Sequence, residues 1–331
     1  MKAWVCPGPG QDLVEDPRPK PSPGGADVVI RVEACGVCRT DLHVRDGELP
    51  EVPYPIVPGH QVVGKVVSAG VESPITVGER VGVAWLGWTC GECTYCRNDQ
   101  ENLCDAARFH GYHIDGGYAE YMRADARYCF VLDERLSAAA TAPLLCAGLI
   151  GFRSLRLAGD AQRIGLYGFG SAAHIVTQLA IHSGQEVYAF TSPGDAQAQR
   201  FARQLGVTWT GGSDERPPHE LDAALIFAPV GDLVPKALKD IRKGGSVVCG
   251  GIHMSDIPSF PYADLWGERV IRSVANLTRQ DGHDFMALAA EGFLTPQVTT
   301  YPLDEANRAL HDLKDGNVSG SAVLVVDSRL T

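Results

Sequence analysis

The run Ile164-Gly165-Leu166-Tyr167-Gly168-Phe169-Gly170-Ser171-Ala172-Ala173-His174-Ile175-Val176 joins three local signals in a short stretch. Ile164 to Tyr167 is an apolar segment of strand length. His174 to His182 carries Ile175, Val176, Leu179 and Ala180 at helical spacing. Between them Gly168 and Gly170, with Phe169, Ser171, Ala172 and Ala173, stand where a strand turns into a helix. Glycines there let the backbone approach a pyrophosphate, whose charge is met by the N–H groups that open the helix. Ala173 takes the third glycine's place, where the need is close helix packing. A plain strand-to-helix turn reads the same in isolation, so the flanking sequence has to decide.

Outward from this run, Glu186 to Phe190, Ala223 to Ala228 and Ser246 to Cys249 repeat the buried-strand pattern. Asp232 to Arg242 carries Leu233, Val234, Ala237, Leu238 and Ile241 on one helical face. Strands alternating with helices predict βαβ units, hence a parallel sheet, from about Arg163 onward. The first third reads differently. Val28 to Val32, Val62 to Val67 and Arg80 to Val83 are short β-branched segments between glycine and proline turns, which predicts a β-rich domain. Near the end Asp304 to Leu313 reads as helix and Ser321 to Val326 as strand, so the C-terminus is expected to return to the first domain.

The length of 331 residues exceeds what one hydrophobic core usually supports, and two domains follow. A formal charge of −11 disfavours nucleic acid and anionic membrane surfaces, both of which select clustered Lys and Arg. The N-terminus Met1-Lys2-Ala3-Trp4-Val5-Cys6 has no apolar stretch of signal-peptide length, which points to a soluble, cytoplasmic protein. Ten cysteines in such a protein point to metal or catalytic work instead of a disulfide framework.

Cys90, Cys93, Cys96 and Cys104 follow the spacing C-x2-C-x2-C-x7-C. Thiolates so spaced can wrap one tetrahedral zinc with no open position, a site that stabilises structure and does no chemistry. An iron–sulfur cluster and a disulfide pair are the competing readings. Cys38 lies in Gly36-Val37-Cys38-Arg39-Thr40-Asp41-Leu42-His43, and His60 follows Pro58-Gly59. Spacing alone leaves both weak, because a histidine after a glycine is more often a solvated loop residue.

Together with Pro143-Leu144-Leu145-Cys146-Ala147-Gly148, these segments closely resemble the zinc-dependent alcohol dehydrogenases of the medium-chain dehydrogenase/reductase family, in the same order and over essentially the whole chain. The resemblance implies an α/β fold. A β-rich, GroES-like catalytic domain would span 1–147, a Rossmann doubly wound parallel-sheet domain 148–275, and a C-terminal segment, 276–331, would return to the catalytic domain. It implies two Zn²⁺ per chain, a catalytic one on Cys38, His60 and Cys146 and a structural one on Cys90, Cys93, Cys96 and Cys104. Thr40 would touch the substrate oxygen, His43 would pass its proton to solvent, and Asp41 would orient a zinc ligand. Arg39 matches a position that reaches the cofactor phosphates. Trp85 matches a substrate-pocket aromatic, although a core tryptophan looks the same in sequence. Cys6, Cys35, Cys129 and Cys249 are left as small buried hydrophobes.

The implied reaction is the interconversion of a primary alcohol and its aldehyde by hydride transfer with NAD(H) or NADP(H). Two other readings compete with it: a quinone or enoyl reductase of the zinc-free type on the same fold, and a non-catalytic, zinc-stabilised dinucleotide-binding protein. The family is commonly a homodimer or homotetramer. Three positions depart from the usual pattern. Phe190-Thr191-Ser192 stands where an NAD-preferring site carries Asp or Glu, so Thr191 and Ser192 would meet the ribose, and the lean is toward NADP. Gln61 replaces a common Glu after the zinc-binding histidine, leaving zinc and two thiolates with about zero net charge and predicting a more electrophilic metal. Ile150 stands where many relatives have a threonine near the nicotinamide.

Overall fold

Asp27–Val37 is the longest strand, and its Val28, Val29, Ile30 and Val32 are all buried, as β-branched side chains in a sheet interior should be. The computed structural model describes residues 1–326. Asp27–Val37 pairs antiparallel with Val62–Ala69 along one edge. Along its other edge, Tyr121–Asp125 takes the N-terminal half and Ser321–Val325 the C-terminal half. The resulting seven-stranded sheet runs Val298–Pro302, Ser321–Val325, Asp27–Val37, Val62–Ala69, Arg80–Val83, Cys129–Val131, with Tyr121–Asp125 beside this path. This β-rich unit comprises Met1–Cys146, Asn276–Gly292 and the described residues from Pro296 onward. Its core gathers Val5, Ile30, Cys35, Val62, Val81, Tyr118 and Leu324.

The second unit, Ala147–Ala275 with Phe293–Thr295, is built on a six-stranded sheet. Its order is Trp209–Gly212, Glu186–Thr191, Arg163–Tyr167, Leu221–Ile226, Ile241–Cys249, Val270–Ser273, and every pairing is parallel. Both faces are covered, because parallel strands need crossover helices that bury them from both sides. Tyr167, Phe190, Ile226 and Leu238 form one apolar layer, and Leu166, Val187, Leu225 and Val248 belong to the other.

Element ends differ from the sequence expectation in three places. The helix after the glycine turn already starts at Ser171 and runs to His182. The amphipathic helix spans Leu233–Asp240, and Ile241 opens the next strand by pairing with Leu221. That strand absorbs Gly244 and Gly245 through a register shift, which is why its apolar run is shorter than the strand itself. The C-terminal helix proper begins at Ala306 after a 3₁₀ turn over Leu303–Glu305. Among the described residues no single helix is long and apolar enough to cross a membrane.

Candidate active site and metal centres

Where Asp27–Val37 ends, Cys38 becomes the N-cap of the helix Arg39–Asp46. The cap is a reciprocal box in which the Thr40 amide donates to Cys38 Sγ at 3.4 Å and the Cys38 amide donates to Asp41 Oδ2 at 2.9 Å. Asp41 is buried, and its Oδ1 also accepts from the Gly59 amide at 3.1 Å and faces His60 Nδ1 at 3.2 Å. A carboxylate accepts there, so Nδ1 carries a proton; against the cost of burial, Cys38 and Asp41 hold the imidazole well above its ordinary value, so Nε2 becomes a ligand by giving up its proton to an incoming metal. Nε2 lies 3.2 Å from Cys38 Sγ. Gly59 has φ +99°, and a Cβ on it would come within 2.4 Å of Tyr118, so glycine is required just before His60. Cys146 ends the 3₁₀ turn Ala142–Leu145, and the ligating atoms of Cys38, His60 and Cys146 all lie within 4.8 Å of one another.

The electrostatics favour metal-ready ligands. A hydrogen bond with Cys146 holds the Cys38 thiol well below its ordinary value against the cost of burial, helped by His60. Cys146 is raised, since the two sulfurs share one proton. Two sulfurs and an imidazole nitrogen, with a carboxylate behind the imidazole, suit zinc with its fourth position left for another group. Asp41→Asn is expected to lower zinc affinity at this centre by about 10- to 100-fold, because an amide offers one acceptor oxygen where Asp41 uses two. Zinc competition with a chromophoric chelator measures it, and an unchanged affinity would count against the orienting role.

Thr40 is buried one turn of helix before His43, whose Nδ1 is paired with the carboxylate of Glu48. Sequence reasoning misses Glu48; an acid five residues on, beyond the helix end, follows no periodic rule. Gln61 is buried with Nε2 unpartnered, its Oε1 side packed against Gly36. Trp85 stands 6.3 Å from the His60 ring and stacks on Phe109 at 4.2 Å. Its indole nitrogen is buried without a partner, and Tyr112 and His113 extend the aromatic stack. Arg39 is exposed at the first position of its helix.

Cys90, Cys93, Cys96 and Cys104 also gather their sulfurs within 4.8 Å. Cys90 Sγ lies 3.9 Å from that of Cys96 and 3.6 Å from that of Cys104. A tetrahedral zinc with sulfur bonds near ~2.3 Å sets its sulfurs about 3.8 Å apart. Disulfide sulfurs would be far closer, and a cluster would spread its cysteines over several irons, so the donor set fits a single zinc. Backbone N–H groups of Glu92 and Cys93 bring the Cys90 thiol down to about 7. Cys6, Cys35, Cys129 and Cys249 are buried and unpaired, as small apolar side chains.

In the second unit, Gly168 takes φ +90°, and a Cβ there would meet the Ala228 amide nitrogen at 2.8 Å. Gly170 caps the helix Ser171–His182 without a side-chain hydrogen bond and has only open space where a Cβ would stand. Ala173 is fully buried, while Phe169, Ser171 and Ala172 are partly exposed around the turn. A glycine-lined cradle at an uncapped helix start fits a pyrophosphate. Thr191 closes the strand Glu186–Thr191; its hydroxyl donates to the Ser192 carbonyl at 3.1 Å and accepts from Gln199 at 3.3 Å, and Ser192 is exposed. Ile150 is half-buried, and its carbonyl accepts from Ser154 Oγ.

The geometry defines a two-unit chain with a cysteine–histidine centre in its β-rich part and a dinucleotide-type turn in its parallel-sheet part. Residues 24–134 match the alcohol dehydrogenase GroES-like domain. The chain is 43% identical to a probable alcohol dehydrogenase of Mycobacterium tuberculosis, covering 98% of this chain and 97% of the relative. It is 36% identical to an alcohol dehydrogenase of Geobacillus stearothermophilus, covering 93% and 94%. Its fold matches the acetophenone reductase of Geotrichum candidum, solved in complex with NAD, with a TM-score of 0.87 at 26% identity over 98% and 97% of the two chains. The chain belongs to the zinc-dependent alcohol dehydrogenases of the medium-chain dehydrogenase/reductase family.

Proposed function

We propose that this protein interconverts a primary alcohol and its aldehyde, with NADP(H) preferred over NAD(H), using a catalytic zinc on Cys38, His60 and Cys146 and a structural zinc on Cys90, Cys93, Cys96 and Cys104. The convergence of Cys38, His60 and Cys146 around an Asp41-supported imidazole carries the reading. When bound, the catalytic zinc supplies Lewis-acid chemistry that makes the alcohol hydroxyl easier to deprotonate. The nicotinamide supplies the hydride acceptor. Thr40 accepts the alcohol proton at its Oγ1 and passes its own hydroxyl proton to His43, which releases it to water beside Glu48. Trp85 and the stack behind it give the substrate an apolar wall. Neutral Gln61 leaves the centre without a further negative charge. Gly168 to Ala173 hold the pyrophosphate, and Ser192 with Thr191 faces the ribose.

Reduced-nicotinamide absorbance with a panel of primary alcohols and each cofactor tests the reading, and a fully metallated protein with no alcohol-dependent reduction would overturn it. Thr191→Asp is expected to lower kcat/KM for NADP⁺ by about 10- to 100-fold relative to NAD⁺, since a carboxylate there would face the 2′-phosphate. An unchanged ratio would place the selectivity elsewhere.

The working form is a homodimer or homotetramer. The exposed edge strand Val270–Ser273, with Tyr262 72% and Trp266 60% exposed in the preceding segment, supports that reading, because bare edges and large apolar side chains are rarely left to solvent. Ten unpaired cysteines suit the reducing cytoplasm.

A further inference from the structure

The helix Arg39–Asp46 stops at Gly47, which takes φ +77° and ψ 25°. Glycine is required there on two counts, because other residues avoid that conformation and a Cβ would come within 2.6 Å of Pro9 Cβ. The Gly10 amide donates to the Arg45 carbonyl at 2.7 Å and holds the loop carrying Pro9 against this turn. Past the turn, the Gly47 amide donates to the Val44 carbonyl at 3.4 Å and the Glu48 amide to the His43 carbonyl at 2.9 Å. Such a helix end folds Glu48 back onto His43, a contact that an apolar pair commonly fills. Here it is filled by His43 Nδ1 on the Glu48 carboxylate.

Neighbouring charges do not compete for this carboxylate. Asp46 takes Arg45 at 2.8 Å and Lys314 at 2.8 Å, and among the described residues the ion pair of Glu48 is with His43. A solvent-facing pair of this kind adds little to stability, so its consequence is orientation. The His43 side chain is 13% exposed and that of Glu48 49%, which puts the carboxylate on the solvent side of the ring. A carboxylate accepts, so Nδ1 keeps its proton and the neutral ring accepts at Nε2.

We propose that Glu48 is the positioning residue of the proton exit: it fixes the His43 tautomer so that Nε2 takes the proton from Thr40 and gives it to water, while Nδ1–H stays on the carboxylate. This rests on the alcohol reading above. The alcohol proton goes to Thr40 Oγ1, the Thr40 hydroxyl proton to His43 Nε2, and the Nε2 proton to water, which returns the ring to its starting tautomer without a flip. Between the last two transfers the ring is a cation, and both Glu48 and the carbonyl end of the helix face that charge.

Long-range proton–nitrogen spectra of the histidine-labelled, zinc-loaded full chain, taken without alcohol or cofactor, read the tautomer, with His43→Asn assigning the signal. The parent is expected to show Nδ1–H, and Glu48→Ala to move the proton to Nε2, the tautomer that imidazole side chains prefer in water. Glu48 is half-exposed beyond the helix end, so this variant should fold. In single-turnover oxidation followed by a pH indicator, Glu48→Ala should release its proton about tenfold or more slowly, with the steady-state KM for alcohol little changed. Added formate should restore part of that rate in the variant and none in the parent. Nδ1–H persisting in Glu48→Ala, or proton release at the parent rate, would overturn the proposal. A parent with the expected tautomer and no alcohol turnover would overturn the alcohol reading and the proton exit with it, so the spectra tell the two failures apart.

Discussion

His60→Ala should leave one zinc ion per chain in place of two and lower alcohol turnover by at least about a thousandfold. The reason begins with donor atoms. Of the three proposed ligands, whose donor atoms lie within 4.8 Å of one another, His60 is the one whose orientation is fixed from behind, by Asp41 Oδ1 at 3.2 Å. Alanine removes the nitrogen and leaves Asp41 buried without its imidazole partner, with the Gly59 and Cys38 amides still donating to it. Two thiols alone bind zinc weakly and with no defined open position. The Lewis-acid contribution is worth several kcal/mol of barrier, and each ~1.4 kcal/mol is tenfold in rate. The Cys38 cap on helix Arg39–Asp46 does not involve His60, so the far-ultraviolet dichroism should be nearly that of the parent. Metal analysis and initial rates decide together. Two zincs with full turnover in this variant would remove the Cys38–His60–Cys146 centre from the chemistry.

Burial decides which elements are legible in the amino-acid sequence. The four interior strands of the parallel sheet, Arg163–Tyr167, Glu186–Thr191, Leu221–Ile226 and Ile241–Cys249, stand out as apolar runs where they are buried on both faces, which for the last means only its Val247 to Cys249 end. The two edge strands, Trp209–Gly212 and Val270–Ser273, give no such signal. They carry Thr210, Gly211, Gly212, Arg272 and Ser273, since an edge meets no demand for apolar side chains on both sides. The sites divide likewise. The sulfurs of Cys90, Cys93, Cys96 and Cys104 come from one local segment, and spacing alone suggests their meeting. Cys38, His60 and Cys146 arrive from a strand-to-helix junction, a glycine loop and a 3₁₀ end, which only tertiary structure brings together; in the sequence, only family resemblance joins them.

Cys96→Ser should release the second zinc and loosen the segment between Cys90 and Cys104 while sparing the catalytic metal. That segment has little core to fall back on. Its helix Thr94–Arg97 is one turn long with no buried residue, and Glu92, Thr94, Arg97 and Asn98 are all exposed. An isolated turn is far below the length at which helices hold themselves in water. Its local order rests on sulfur contacts, with the Cys96 amide on Cys93 Sγ, the Cys93 amide on Cys90 Sγ, and Cys90 facing Cys96 and Cys104. Structural zinc in small domains contributes on the order of 10 kcal/mol, comparable with the whole stability of an ordinary domain. Loss of one of four ligands should therefore open this segment locally, since the seven-stranded sheet keeps its own core. Tryptic cleavage at exposed Arg97 is expected to accelerate at least about tenfold, as local opening becomes the favoured state. The Tm should fall by several degrees, and the remaining zinc should stay at about one per chain. Parent-like resistance to trypsin with one zinc lost would mean that packing holds this segment and the metal only decorates it.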